Sequence, residues 1–202
     1  MEVPLYAEEV LALGRAGDKR RREFATGRAC ARQALARLGL RPRSVPSGPR
    51  GEPVWPQGVV GSITHCRGYV ACAVASREMV GAVGIDAEPH AALREELLPD
   101  IVTPSERRRL TELSAAWPDV RWDRLWFSAK EAVYKAWFPL TRRWLGFHDV
   151  ELTVDAANGS FVARTRIDGE SISLFDGRWL VRDGLTLTAV VVGAQRPGGR
   201  CT

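Results

Sequence analysis

The sequence predicts an α+β (α/β) protein built as two halves in one compact body. Two observations carry this. Helical periodicity near the N-terminus gives way to strand-like runs, and the same order, helices then strands, recurs in the second part of the chain. The 202 residues are 45% hydrophobic and 26% charged, an ordinary soluble balance in a chain long enough to bury a sizeable core.

Residues 18–39 read as a helix. Asp18 is placed to cap it, Phe24, Ala31, Ala34, Leu35 and Leu38 recur at helical spacing, and Gly39 ends it. The stretch 41–53, rich in arginine, proline and glycine, breaks both periods and is a basic loop. Three strand-like runs follow, Val59 to Thr64, Tyr69 to Ala75 and Val80 to Asp86, separated by turn residues that suit adjacent antiparallel strands. Thr103 caps a helix begun by Pro104, with Glu106 at the capping-box position. A longer helix is expected from Pro118 to Trp137. Strands then return at Val150 to Val154, Phe161 to Ile167, Ser171 to Phe175, Trp179 to Val181 and Leu185 to Val192. The division falls near residue 83: an N-terminal half over 1–83, a C-terminal half over 84–195, and a disordered tail over 196–202. No short-period repeat is evident.

The N-terminus lacks a basic segment followed by an apolar run, and no stretch approaches the roughly 18 apolar residues that span a bilayer. A cytoplasmic protein without a membrane partner is expected. Cys30, Cys66, Cys72 and Cys201 show neither CxxC pairing nor disulfide-framework spacing, so reduced and mostly buried thiols are expected. With three histidines, no four-ligand zinc set assembles. The net charge of +5 favours anionic partners, without choosing among nucleic acid, a nucleotide cofactor and an acidic protein. Most of the early arginines are explained by a solvated helix face.

Three short stretches carry chemistry. In Gly84-Ile85-Asp86-Ala87-Glu88, side chains two apart on an extended segment share a face, and Pro89 keeps Glu88 out of the α region. Two such carboxylates repel unless a cation neutralises them, and oxygen ligands suit magnesium, with manganese as the alternative. Taken alone, the pair fits equally well an exposed strand end matched with nearby arginines. In Lys130-Glu131 and Lys135, the acid and the second lysine stand one turn apart, with Lys130 rotated by about 100°. An exposed pair of that kind contributes only a few tenths of a kcal/mol, so its interest lies in the company it keeps. Gly61-Ser62-Ile63-Thr64-His65 puts two hydroxyls on one strand face and an imidazole at its end. These could receive a phosphate monoester, although a lone histidine is more often structural.

Together these residues resemble the 4'-phosphopantetheinyl transferases of the Sfp/EntD type. The Gly-Ser-Ile-Ser-His element of that family appears at 61–65 with threonine at 64, Gly-Ile-Asp-x-Glu at 84–88, and Phe-Ser-x-Lys-Glu-Ala-x-x-Lys at 127–135. The likeness extends to residues 20–32, to Arg50-Gly-Glu-Pro-Val-Trp-Pro and to Trp144-Leu-Gly-Phe, which fit the actinobacterial members of the EntD-like branch. The departures, Thr64 and Phe127, bear on subfamily more than on activity.

The resemblance implies a pseudo-dimer of two similar α/β halves with coenzyme A in the cleft between them. It implies transfer of the phosphopantetheine arm to a carrier-protein serine, with release of adenosine 3',5'-bisphosphate. Asp86, Glu88 and Glu131 would bind magnesium, and Lys130 and Lys135 would hold phosphate oxygens. His65 with Ser62 would take the 3'-phosphate, and Arg20, Arg28 and Arg50 would grip the nucleotide end. Lys135 would stabilise or protonate the leaving phosphate, while the base is either Glu131 or a metal-bound water. The partner would be an acidic acyl or peptidyl carrier of polyketide, nonribosomal peptide or siderophore synthesis, and the enzyme a monomer. Residues around Trp137, Phe138 and Leu140 either receive the carrier or belong to the core. A metal-dependent nuclease and a nucleic-acid-binding module are the rival readings. The first lacks a Glu-x-Lys after Asp86 at nuclease spacing, and the second leaves the three acids without purpose.

Overall fold

The computed structural model describes residues 4–167 and 173–194. In chain order the elements are α1 (Ala7–Leu13), α2 (Asp18–Arg37), β1 (Val59–Cys66), β2 (Tyr69–Ser76), β3 (Val80–Pro89), α3 (Leu98–Ile101), α4 (Pro104–Ala116), α5 (Trp122–Thr141), β4 (Val150–Asp155), β5 (Ser160–Thr165), β6 (Leu174–Arg182) and β7 (Leu185–Gly193). The mixed α+β class is as expected.

Two sheets are present among the described residues. β1 and β2 form an antiparallel pair, and the other five strands lie in the order β3-β7-β6-β5-β4. The first three strands are therefore not neighbours in the expected sense, because β3 leaves the hairpin and pairs with β7, Asp86 opposite Thr188. What joins β1 to β3 is side chain rather than ladder. The Ser62 hydroxyl accepts from the Ile85 amide at 3.1 Å, and the Thr64 hydroxyl accepts from the Ala87 amide at 3.1 Å. Matched steps of two residues mean that β1 runs beside β3 in the same direction. Hydroxyls at alternate positions satisfy the edge amides of β3 that no partner strand covers.

α5 is the spine of the larger body. Trp122, Leu125, Trp126, Ala129, Ala132, Val133, Ala136 and Trp137 are all essentially sealed from solvent, and they pack on the inward residues of the five-stranded sheet. Each large side chain buried this way contributes roughly 1.5–3 kcal/mol. Close approach to β3 requires Gly84, where a Cβ would overlap the Ala132 carbonyl. The glycine of the Gly-Ile-Asp-x-Glu stretch is thus a packing residue that brings α5 against the strand bearing the acids. A smaller core of Ala31, Leu35, Val45 and Val59 lies under α2. One body has two strands and the other five, so the two halves resemble each other only as a helix laid on a sheet.

Element boundaries differ from expectation in informative places. Gly17, not Asp18, is the N-cap of α2, and Gly39 adopts φ 78° just past its end. α5 starts at Trp122 rather than Pro118 and runs through Pro139 to Thr141, with Arg142 closing it at φ 58°. Proline in the last turn removes one bond and leaves the rest of the helix intact. The two short strands expected around Phe175 and Trp179 are a single β6. α1 was not expected: Glu9, fully buried, ties it to α2 through Arg32 at 3.0 Å and to the Val45 amide at 2.9 Å. Trp137 and Phe138 are buried core, not a docking face. Cys30, Cys66 and Cys72 are free but only partly buried. The tail over 196–202 and Cys201 lie outside the described residues, as do Ser171 and its neighbour at 172. Among the described residues no helix is long and apolar enough to cross a membrane.

Candidate active site

The acids meet where β3 passes under α5. Asp86 is buried; its Oδ1 accepts from Lys135 Nζ at 2.7 Å and from the Thr64 hydroxyl at 3.1 Å, while its Oδ2 is buried with no partner. Lys135 Nζ also donates to the Ile85 carbonyl at 3.2 Å. Glu88, two residues along the same face, is held by Arg124 Nη1 at 3.0 Å. Arg124 further donates to the Ala91 and Ala92 carbonyls, at 3.0 and 3.2 Å. The alternative of a strand end matched with an arginine is therefore realised at Glu88 and not at Asp86. Glu131, one helical turn before Lys135, makes no hydrogen bond among the described residues. Burial pushes its carboxyl above the usual range, Lys135 opposes that and Asp86 adds to it. Glu88 is pushed up by burial and by Asp86, against the pull of Arg124 and Lys135.

These residues fit a divalent cation. A buried carboxylate oxygen has no partner among the described residues, and two further carboxyls are raised by burial and by the charge of Asp86, which a divalent cation would relieve. As the side chains stand, no three His, Cys, Asp or Glu among the described residues converge closely enough to hold an ion. Asp86 is paired instead with Lys135, and Glu88 with Arg124.

Two cavities reach Glu131. One of about 210 Å³ is lined by Arg50, Ser62, Glu131, Tyr134 and Lys135 among others. The other, about 140 Å³, is lined by Lys130, Glu131, Tyr134, Trp144 and Phe147 among others, Lys130 contributing its stem because its ammonium is sealed. Arg50 stands 5.7 Å over the Trp144 ring, and Tyr134 packs against that ring at 5.3 Å. A larger cavity of about 220 Å³ also touches Thr64 and Asp86, but its lining is otherwise mostly apolar, with Arg178 its one cation. Lys135, Arg50 and Glu131 line the cavity on the α5 side instead.

Not every expected residue comes to this place. Ser62 and His65 lie on opposite faces of β1, because alternate strand residues do. Ser62 faces β3, whereas His65 Nε2 is 3.2 Å from Arg20 Nη1 at the start of α2. His65 and Arg20 therefore form one cationic corner that Ser62 does not share. Arg28 is buried, donates to Ser47 at 2.9 Å and lies 4.2 Å over the Phe24 ring; burial pulls it down to about 10. Lys130 does not face the acids. Its Nζ, fully sealed, donates to Glu106 at 2.7 Å and to the Ile101 and Phe147 carbonyls at 2.8 Å each. All three ammonium protons are committed, so the expected grip on phosphate does not fit this geometry. Arg124, Tyr134 and Trp144 were missed as members of the site. Arg124 is seven residues before Glu131 on the same helical stripe, which is the signal that marks it.

The geometry defines a class of protein: acids and a lysine gathered between β3 and α5, with Thr64 of β1 alongside and an arginine–histidine contact at the first long helix. The model of the 4'-phosphopantetheinyl transferase N-terminal domain matches residues 7–75, and that of the 4'-phosphopantetheinyl transferase superfamily matches residues 82–186. The chain is 49% identical to the 4'-phosphopantetheinyl transferase Svp of Streptomyces mobaraensis, across 94% of this chain and 79% of that one. It is 47% identical to the 4'-phosphopantetheinyl transferase PptT of Mycobacterium tuberculosis, across 92% and 85%. Enterobactin synthase component D of Escherichia coli (strain K12) is 40% identical across 66% of this chain and 61% of its own. The chain belongs to the 4'-phosphopantetheinyl transferase superfamily, a family of coenzyme A-dependent enzymes that act on carrier proteins.

Proposed function

We propose that the seam between β3 and α5 is where this chain moves phosphopantetheine from coenzyme A to a carrier serine, releasing adenosine 3',5'-bisphosphate. The observation that carries the reading is Asp86: one oxygen paired with Lys135, the other buried without a partner, Glu131 beside it. Asp86, Glu88 and Glu131 would hold magnesium, or manganese, which when bound neutralises the diphosphate of the donor.

The chain's own residues do the rest. Lys135 reaches phosphate oxygens once it is released from Asp86, and stabilises or protonates the leaving phosphate. Glu131, raised above the ordinary carboxyl range and free of hydrogen bonds, accepts the proton of the carrier serine, directly or through a water. Arg20 and His65 take the 3'-phosphate, and Arg50 the nucleotide end. Arg28, which keeps a buried Nε without a partner beside its bond to Ser47, backs the nucleotide end from α2. Positioning and charge neutralisation supply the acceleration, since phosphoryl transfer asks little covalent chemistry of the protein.

The two halves divide near residue 83 and 84, with the site in the cleft between them. An acidic acyl or peptidyl carrier suits the net charge of +5, and the basic surface steers it. Similarity to Svp and to enterobactin synthase component D favours carriers of secondary-metabolite or siderophore synthesis. The enzyme acts as a cytoplasmic monomer without nucleic acid.

The test is the intact mass of recombinant apo acyl and peptidyl carriers after incubation with this protein, coenzyme A and magnesium. A gain of one phosphopantetheine group that disappears with EDTA supports the reading. No gain on any carrier, together with no coenzyme A binding, removes it.

A further inference from the structure

Lys130 sits next to Glu131 in a stretch whose resemblance implies a phosphate ligand, yet its surroundings are those of a buried joint. The Lys130–Glu106 pair has side-chain exposures of 0% and 2%. Glu106 is in turn engaged at both oxygens: Oε2 accepts from Lys130 and from the Thr103 amide at 2.9 Å, and Oε1 accepts from the Leu152 amide at 3.0 Å. Through two side chains, four parts of the fold meet: the cap of α4, the end of α3 at Ile101, the turn at Phe147 and β4 at Leu152. The turn and strand bound the segment that walls the cavity beside Glu131, where Trp144 and Phe147 face Tyr134.

We propose that Lys130 is a positioning residue which, with Glu106, fixes the 144–152 segment against α5 and so sets the cavity beside Glu131, without touching phosphate. This rests on the donor-site reading given above. A sealed ion pair of this kind is seldom retained for stability alone, since apolar replacements of the same volume are often neutral or better. What the pair adds is a defined relative placement: three acceptors converge on one ammonium from separate elements, a geometry that an apolar contact would not specify.

Two experiments test it. The first uses the wild-type protein, whose lysines are Lys19, Lys130 and Lys135. Brief acylation of the native enzyme, with and without coenzyme A and magnesium, is read by peptide mass spectrometry. Lys19, with 88% side-chain exposure, should label throughout. Lys135 should label and be protected by coenzyme A, and Lys130 should stay unlabelled in both samples. Labelling of Lys130 in the free enzyme, whether or not coenzyme A protects it, would overturn the proposal. Failure of coenzyme A to protect Lys135 would instead count against the donor-site reading.

The second is kinetic, with all variants assayed well below their unfolding temperatures. Glu106→Gln should raise KM for coenzyme A by about fivefold with kcat within about twofold, a split that a merely stabilising residue would not produce. Lys130→Met should lose about 100-fold in kcat/KM, because Glu106 is left buried and unpaired, and Lys130→Met/Glu106→Gln should recover to within about fivefold of wild type. If the double variant folds and is as impaired as Lys130→Met, Lys130 touches the substrate and the proposal falls. Should Lys130→Met fail to fold, recovery of fold and of KM in the double variant supports the joint, and the labelling result stands on its own.

Discussion

Lys130 and Lys135 lie five residues apart on one helix, each bonded to an acid at 2.7 Å, yet they occupy opposite kinds of place. Five helical residues turn the side chain by about 140°, so one lysine points into the α4–β4 joint and the other toward β3. Lys130 Nζ and both carboxylate oxygens of Glu106 have partners, and the two side chains are sealed from solvent. Around Lys135 the lysine side chain is 26% exposed and Asp86 keeps one oxygen unpaired. The closed pair holds a shape. The open pair leaves one carboxylate oxygen without a hydrogen bond and the lysine within reach of solvent. Distance alone does not separate them; satisfaction and access do.

The comparison breaks most sharply at the two acids. Asp86→Ala should leave a cooperative unfolding transition, because Lys135 can turn to water, while transfer falls by about 10³-fold or more through loss of charge stabilisation at the diphosphate. Glu106→Ala should do the reverse and cost about 3–5 kcal/mol of stability, because it strands a sealed ammonium. Denaturant melts and carrier mass gain on both variants check the pair of outcomes. Retained turnover in Asp86→Ala would sink the metal-and-phosphate assignment.

How much of this was readable in advance follows from the range of each interaction. The capping box at Thr103 and Glu106 is local, and it is present as expected, with the Thr103 hydroxyl accepting from the Glu106 amide at 3.3 Å. The acids at 86 and 88 share a face because the strand period is two. The β3–β7 pairing is not local: it joins residues about a hundred positions apart, and a turn-rich hairpin region offers a nearer but wrong neighbour. α1, seven residues long, is too short to show a period, and its anchor Glu9 finds Arg32 and Val45 only in three dimensions. Likewise Lys130 next to Glu131 invites a shared role. Only the fold reveals Glu106, 24 residues earlier in the chain, as its partner.

Glu131 sharpens the open side of the comparison. Glu131→Gln should reduce kcat by about 10²-fold if it carries the serine proton. The metal-free protein offers a second readout. The folded-state values of Glu131 and Glu88 lie above the ordinary carboxyl value of 4.5. The folded form therefore holds protons that the unfolded chain has lost, and stability falls as pH rises from about 4.5 through the raised values. A divalent cation binds the ionised forms. The rise in Tm on adding magnesium should thus grow with pH across that window and then level, and should shrink in Glu131→Gln. A magnesium effect flat in pH would contradict the three-acid site.

The Arg20–His65 corner at α2 should respond more mildly, since the role proposed for it concerns the part of the donor remote from the reacting phosphorus. His65→Ala should raise KM for coenzyme A about tenfold, with kcat at saturation within about twofold. A loss confined to kcat would place His65 at the chemistry instead. Arg20→Ala should behave alike, and the double variant should show less than the sum, because the two groups are 3.2 Å apart and directly coupled.

The smallest effect calibrates the closed pair against its surface counterpart on the same helix. Arg109 and Glu112 pair at 2.9 Å across one turn of α4, a contact nearly as short as that of Lys130 and Glu106, with side-chain exposures of 52% and 63%. Water already solvates both groups, and holding two long side chains in one geometry costs entropy that offsets most of the attraction. Arg109→Ala should therefore change stability by less than about 0.5 kcal/mol and leave KM unaltered. A larger loss would mean that charge on α4 matters through its long-range field, and the strong effect expected at Glu106 could then no longer be ascribed to burial alone.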